Sequence, residues 1–388
     1  MMNFKYGYYL LALLLFAACG KSEESKHFSN ASGYELVKVD SFQVENLTRV
    51  RITDFSESEN IYLGYSEAEN DVLEISPEGN IIKRVNLSGD GPGKLRNYGP
   101  MGLSFGPDQK RVLQMPFVLA TYNQAYEQLE NMSIRSPLPV RSIIPSGKTA
   151  YFMEENHPRY LVGPTTFLSA HLLIYNEVGR DTLQNFSILY PETGELKSII
   201  PYEADSYYKK TPHIYTNLMA KSFFISANKL YVLQGLSESI QVYDLLDFSL
   251  IKNIPLTHSD FIKYDPVPLG TVMDDPRIKQ LSSMAGRNQK LLEISEDYWL
   301  VSYFQGVTES EYELKNSEEQ PFRLGDAYDK LKLLIFKNGR QVNGELAAPK
   351  GIMLFSLGNN KVLVEEKPSE DIEEEVTRYS IYELRAIN

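Results

Sequence analysis

The chain has 388 residues, 43% of them apolar and 12% aromatic, with 24 Gly and 20 Pro, which supports a large core and excludes a disordered or collagen-like polymer. Its 51 acidic and 39 basic residues give a formal charge of −12, the wrong sign for a general binder of phosphate backbones, so nucleic acid is not an expected partner. A single Cys excludes an internal disulfide framework and any Cys-based zinc cluster.

The N-terminus carries Lys5, an apolar run from Leu10 to Ala18, and then Cys19. That run is about half of the roughly 20 residues a membrane-spanning helix needs. A charged start, a short apolar stretch and small residues before a cleavage point describe a secretory signal over residues 1–18. Phe16-Ala17-Ala18-Cys19 resembles a bacterial lipobox, with Phe16 where the pattern prefers Leu. The resemblance implies cleavage before Cys19 and acylation of its thiol. Loss of residues 1–18 removes Lys5 alone among charged side chains, leaving 38 basic against 51 acidic residues, a net of −13. Membrane attachment would then rest on acyl chains rather than on anionic lipid.

Residues 20–33 are small and polar and form a tether; a flexible chain of this length reaches roughly 20 Å. With Cys19 they make up a segment 19–33 that precedes the folded part, 34–388. The pair Glu23-Glu24 resembles the export signal of surface-exposed lipoproteins in Bacteroidota. An outer-membrane lipoprotein is therefore expected, on the periplasmic face or at the cell surface.

From residue 34 onward the chain alternates with period two in short apolar runs broken by Gly, Asn, Asp and Pro, which is the pattern of strands. Several segments share one plan: strand, polar gap, strand, tight turn, strand. It occurs at 60–87 with the turn Pro77-Glu78-Gly79-Asn80, at 171–200 with Pro191-Glu192-Thr193-Gly194, at 229–256 with a turn near Asp247, and at 298–346 with Asn338-Gly339, a strong hairpin signal. A degenerate copy lies at 111–134 around Gln124, and a sixth is assembled from 351–384 with the N-terminal strand at Tyr34 to Val39. An all-β propeller is expected, each blade too small to bury both faces until it stacks on its neighbours. Six blades of about 59 residues fit the length, and seven of about 51 fit it too. An insertion is expected within residues 257–295, with a short helix opening at Asp275-Pro276. Two acidic stretches, 308–330 and Glu365 to Glu375, read as solvated loops, since neither has the turn spacing of a calcium site.

Motifs for chemistry are sparse. Ser88 to Leu95 and Ser142 to Thr149 are near-misses to a phosphate loop: each lacks the first Gly, Leu95 replaces Ser or Thr in one, and Pro145 removes a needed amide in the other. The five His show no metal-ligand spacing, and neither His-Glu-x-x-His nor Gly-x-Ser-x-Gly occurs. No catalytic residue, metal or cofactor is assigned. Trp299 is expected in the core, and packing accounts for most of the 26 Tyr and 18 Phe. His157 and Arg159, in a Pro-marked loop, are candidates for the mouth of the ring.

Gly89-Asp90-Gly91-Pro92-Gly93 resembles the Gly-x-Gly-Pro-Gly loop of six-bladed propeller lipoproteins of Bacteroidota, a largely uncharacterised family. Together with the lipobox and the blades, the resemblance covers nearly the whole chain. It implies fold and location and no reaction. The glycines favour a tight connection between blades, with Gly89, Asp90, Gly91 and Gly93 as candidate ligand contacts. The expectation is a lipid-anchored envelope module that binds or scaffolds a protein or glycan. The alternative is a propeller lyase or hydrolase acting on glycan or peptide at the central channel. Ionisable groups converging in that channel would favour the enzyme.

Overall fold

The computed structural model describes residues 33–387 apart from 67, 96–101, 116, 135–146, 163–183, 205, 207, 210–212, 215–220, 273–274, 318, 343 and 369–374. The chain forms a six-bladed β-propeller. Strand β1 (Tyr34–Glu45) comes first. Blade I is then β2 (Val50–Ser56), β3 (Ile61–Ser66), β4 (Asp71–Ile75) and β5 (Ile81–Asn86), and blade II is β6 (Gly102–Phe105), β7 (Arg111–Gln114), β8 (Val118–Tyr122) and β9 (Gln128–Ser133). Blade III is β10 (Ala150–Glu154), β11 (His157–Leu161), β12 (Gln184–Tyr190) and β13 (Glu195–Pro201). After the short β14 (His213–Ile214), blade IV is β15 (Lys221–Ser226), β16 (Lys229–Gln234), β17 (Ser239–Asp244) and β18 (Leu250–Pro255).

The connection to blade V holds β19 (Val267–Pro268), which pairs with β14, and helix α1 (Pro276–Met284). Blade V is β20 (Arg287–Glu293), β21 (Tyr298–Phe304) and β22 (Leu331–Lys337), with β23 (Arg340–Gln341) and β24 (Leu346–Ala347) sharing its outer edge; helix α2 (Glu309–Lys315) lies between β21 and β22. Blade VI is β25 (Gly351–Gly358), β26 (Lys361–Glu366) and β27 (Val376–Ala386), and β1 completes it by pairing antiparallel with β27 from Tyr34↔Ala386 to Glu45↔Val376. The N-terminal strand thus closes the last blade, as the sequence predicts.

Each blade returns to the end where it began, so the innermost strands β2, β6, β10, β15, β20 and β25 all run the same way along the ring axis. Every connection at the end where they finish has five residues or fewer. Four of these are two-residue turns, Glu155-Asn156, Ala227-Asn228, Asn338-Gly339 and Asn359-Asn360, with φ positive at both positions, the I′ geometry that matches strand twist. At the opposite end the chain leaves and re-enters the blades for its longer connections, those between β5 and β6, β9 and β10, β11 and β12, β13 and β15, β18 and β20, β21 and β22, and β26 and β27. The two ends are called the hairpin end and the loop end. Tyr34 sits at the hairpin end, where the Ile387 amide donates to the Gly33 carbonyl at 2.8 Å.

Local chemistry explains α1: the Asp275 carboxylate accepts from the Arg277 amide, Pro276 opens the helix, and Ile278, Leu281 and Met284 bury its inner face. Trp299 is buried against Phe224, Tyr231 and Phe336 between blades IV and V. Two expectations need correction, those for the start of blade III and for Glu365 and Glu366. In blade III the two inner strands lie at 150–154 and 157–161, before the predicted segment at 171–200, whose first part falls outside the described residues. The insertion lies within 257–295, as expected, and ends at Gly286, before the innermost strand of blade V at 287–293. Glu365 and Glu366 are not solvated loop residues: they end strand β26, and Glu365 is buried.

Candidate functional site

The innermost strands surround a cavity of about 710 Å3 on the ring axis, and five of the six contribute to its wall. Apolar side chains of β15, β20 and β25 supply part of the lining. The wall also carries the basic residues Arg49, Arg51, Lys148, Lys221 and Lys290 and the carboxylates Asp54, Glu293 and Glu365. Ionisable groups do converge in the channel. Among the described residues, no three His, Cys, Asp or Glu gather as metal ligands.

Each charge is placed by a local feature. In β2 the register shifts between Ile52 and Asp54, and in β20 between Asn288 and Lys290, leaving Thr53 and Gln289 as extra residues. β25 has a similar shift between Met353 and Phe355. A bulge re-aims the side chains beside it, and here three innermost strands carry one at the cavity wall. Lys148 is held by the packing of its neighbours on β6: the Leu103 amide donates to the Gly147 carbonyl at 2.8 Å, and the Ser104 hydroxyl to the Thr149 carbonyl at 2.8 Å. Lys221 opens β15, with its ammonium near the Asn185 backbone and side-chain carbonyls and the Tyr202 hydroxyl, and over the rings of Phe186 and Tyr202.

Two of the three carboxylates are already answered. Asp54, buried, pairs with Lys148 at 2.8 Å and accepts from the Phe105 amide at 2.9 Å. Glu365 pairs with Arg49 at 2.6 Å. Burial pushes the Glu293 carboxyl up, with Ser226 opposing, but Glu293 ends β20 at the hairpin end. The oxygens around Lys221 are neutral, and burial brings its ammonium down to about 7. Some solvent reaches it through the cavity, yet the protein wall dominates its ionisation.

The sign of the resulting pH dependence follows. Between about 7 and the ordinary lysine value of 10.5, the unfolded chain holds a proton that folded Lys221 has released, so this group makes stability rise with pH across that window. Lys221→Met is expected to be more stable than the parent at pH 6 and to lose that advantage by pH 10, as read from urea denaturation midpoints at each pH. An unchanged difference would show that Lys221 keeps its ordinary affinity for the proton.

The residues singled out from sequence fall elsewhere. His157 and Arg159 are not in a loop at the mouth: they begin β11 at the hairpin end. Arg159 bonds Glu154 at 2.7 Å and Glu192 at 2.7 Å, His157 Nδ1 lies 2.9 Å from Glu192, and the guanidinium covers the Tyr190 ring. Together they staple the hairpins of blade III. The loop with Gly89, Asp90, Gly91 and Gly93 joins blades I and II, as predicted. Its ends, Leu87 and Leu95, are buried between those blades, and the Tyr122 hydroxyl donates to the Gly93 carbonyl at 3.2 Å. Gly89 and Gly93 have φ of 134° and 71°, conformations that favour glycine. None of these loop residues lines the cavity, and the structure does not bring them together with His157 and Arg159. Cys19 lies outside the described residues.

The cavity cations have a partial signal in the sequence: a basic residue stands at or just before the start of three innermost strands, as Arg49 and Arg51, Lys148, and Lys221, whereas Lys290 lies within β20. No family model matches the chain, and no curated protein does. Among solved structures it is similar to a member of the DUF4221 family from Bacteroides vulgatus, with a TM-score of 0.65 at 13% identity over 92% of this chain and 99% of that one. It is also similar to a protein of Bacteroides fragilis whose name marks it as a candidate for export, with a TM-score of 0.50 at 10% identity over 92% and 96%. At these identities the likeness concerns the fold.

Proposed function

We propose that the protein is a lipid-anchored module of the bacterial cell envelope that binds a ligand in its central cavity. The observation that carries this reading is the cavity itself: about 710 Å3 on the ring axis, within the usual size of small-molecule sites, with a wall that is part apolar and part charged. The lipobox-like Phe16 to Cys19 supports the anchor. The segment preceding Gly33 joins β1 at the hairpin end, so an acylated Cys19 would hold that end toward the bilayer and leave the long loops facing away from it.

Two experiments test the two halves. Cys19→Ser is expected to abolish metabolic fatty-acid labelling and release the protein from the membrane fraction; unchanged labelling would refute the anchor. For the cavity, the purified protein is incubated with the small-molecule fraction of an envelope extract and the retained compounds are identified by mass spectrometry. Retention that Ser222→Trp, a substitution in the cavity wall, removes is the expected result. Nothing retained, or retention indifferent to that substitution, would refute the site.

A second reading, an enzyme acting on glycan or peptide, is favoured by the ionisable groups that converge in the channel, among them Lys221, a cavity-lining amine brought to about 7 and so with the affinity of a general base at neutral pH. Conversion of the retained compound, lost in Lys221→Met while binding persists, would favour it.

A further inference from the structure

Lys290 lies within β20, one residue past the bulge at Gln289, and lines the axial cavity. Strand β20 stands between β15 and β25, which give Phe223, Phe224, Leu354 and Phe355 to the same wall. Three lysines reach this wall. Lys148 pairs with Asp54, and the Lys221 ammonium donates to the Asn185 carbonyls beside the Tyr202 hydroxyl. Of the three, Lys290 alone makes no hydrogen bond or ion pair among the described residues.

The carboxylates of the wall are placed elsewhere: Asp54 is on Lys148, Glu365 is on Arg49, and Glu293 ends β20 at the hairpin end. Burial disfavours the protonated form of Lys290, and the charge of Arg51 on β2 adds to this. Enclosing an amine in protein without a partner costs stability. A lysine that is desolvated and set near another cation keeps more of its neutral amine at neutral pH, and that form is the nucleophile.

Resting on the cavity reading above, we propose that the ligand is a small carbonyl compound, an aldehyde or a 2-oxo acid, and that Lys290 forms an imine with it. The Nζ lone pair adds to the carbonyl carbon to give a carbinolamine. The C–O bond then breaks, and the oxygen leaves as water with the two protons that the amine brought. No oxidant or reductant is consumed, and hydrolysis returns both partners.

The test is reductive trapping. The purified protein is incubated with glyceraldehyde or pyruvate in the presence of sodium cyanoborohydride, which reduces an imine to a stable secondary amine. Peptide mapping by mass spectrometry locates the adducts, each heavier by the probe less one oxygen atom. With at least one probe, Lys290 is expected to be trapped at pH 7 about tenfold faster than Lys252 on the exposed strand β18. Its rate should also rise less than that of Lys252 between pH 7 and pH 9, because more of its amine is already neutral. Ser222→Trp should remove the preference and leave labelling of Lys252 unchanged. Lys290→Arg, which keeps the charge and cannot form an imine, should lose the fast adduct while keeping the parent's denaturation midpoint. Trapping of glyceraldehyde alone would mark an aldehyde ligand, and of pyruvate alone a 2-oxo acid. Labelling of Lys290 no faster than of Lys252 with either probe, or a fast adduct that persists in Lys290→Arg, would overturn the proposal. Should extract compounds still be retained in a manner sensitive to Ser222→Trp, the cavity reading stands and only the covalent step falls.

Discussion

Arg111→Met is expected to lower folding stability by about 3–5 kcal/mol, the usual cost of removing one partner from a buried ion pair. The Arg111 guanidinium is 2% exposed. It reaches from β7 of blade II into blade I, bonding Glu59 twice, at 3.0 and 2.7 Å, and Glu74 at 2.9 Å, with the Phe105 ring beneath it. Burial alone would push its proton affinity down, and the two glutamates more than reverse this. Met keeps much of the stem volume but leaves both carboxylates facing protein without a counter-charge. Adding Glu59→Gln and Glu74→Gln should restore at least half of the loss, since the penalty lies in the orphaned charges. Arg111 holds the Glu59 carboxyl below its usual range, so this contribution is present above pH 5 and fades as acid protonates Glu59 in the folded state. Urea denaturation at pH 7 and pH 3 measures both effects. A loss below about 1 kcal/mol at pH 7 would show that the pair does not join the blades.

The second large effect concerns closure of the ring. Phe42 of β1 is sandwiched between Tyr62 of blade I at 5.1 Å and Tyr379 of blade VI at 5.2 Å, and neighbouring Val44 is fully buried. The blade I turn presses on the same strand: Gly79 has φ of 91°, and a Cβ there would stand 2.0 Å from the Gln43 carbonyl oxygen. Phe42→Ala is expected to cost about 3 kcal/mol through the lost packing, and Gly79→Ala about 2 kcal/mol or more through strain and overlap. Deleting residues 34–45 goes further, exposing the edge of β27 and an apolar cluster between blades VI and I, and is expected to yield an aggregating chain without a cooperative transition. Calorimetry of all three variants provides the check; a deletion variant that melts at the parent temperature would mean that β1 is ornamental.

How far the sequence could be read depends on which strand is considered. Strands such as β4 and β17 lie inside their sheets and are almost wholly buried; outer ones such as β5 alternate cleanly between half-buried and exposed. Their turns carry Gly, Asn and Pro. These three outer strands per blade make up the plan visible at 60–87, 229–256 and 298–346. The innermost strands are different. Lys221–Ser226 is half-buried at every position, and β2 and β20 are broken by bulges, because such a strand packs against two blades and also meets the cavity. Period two is weak there, so the sequence plan locates no innermost strand in blades I to V, and the cations they carry have no address. Lys148 illustrates this. Its sequence setting pointed to a phosphate loop that fails, whereas its role comes from the way residues 147–149 dock on β6, a contact made across blades. Pro158 marks a loop more often than a strand, so the sequence points His157 and Arg159 toward the mouth of the ring, yet Pro158 lies in β11 opposite Met153.

The most direct measurement is a crystal structure of the purified protein grown with the compound that it retains from the envelope extract. The account predicts that compound on the ring axis, against the cavity walls of β2, β15 and β20. A fully occupied compound elsewhere on the molecule, with the cavity holding only water, would contradict it.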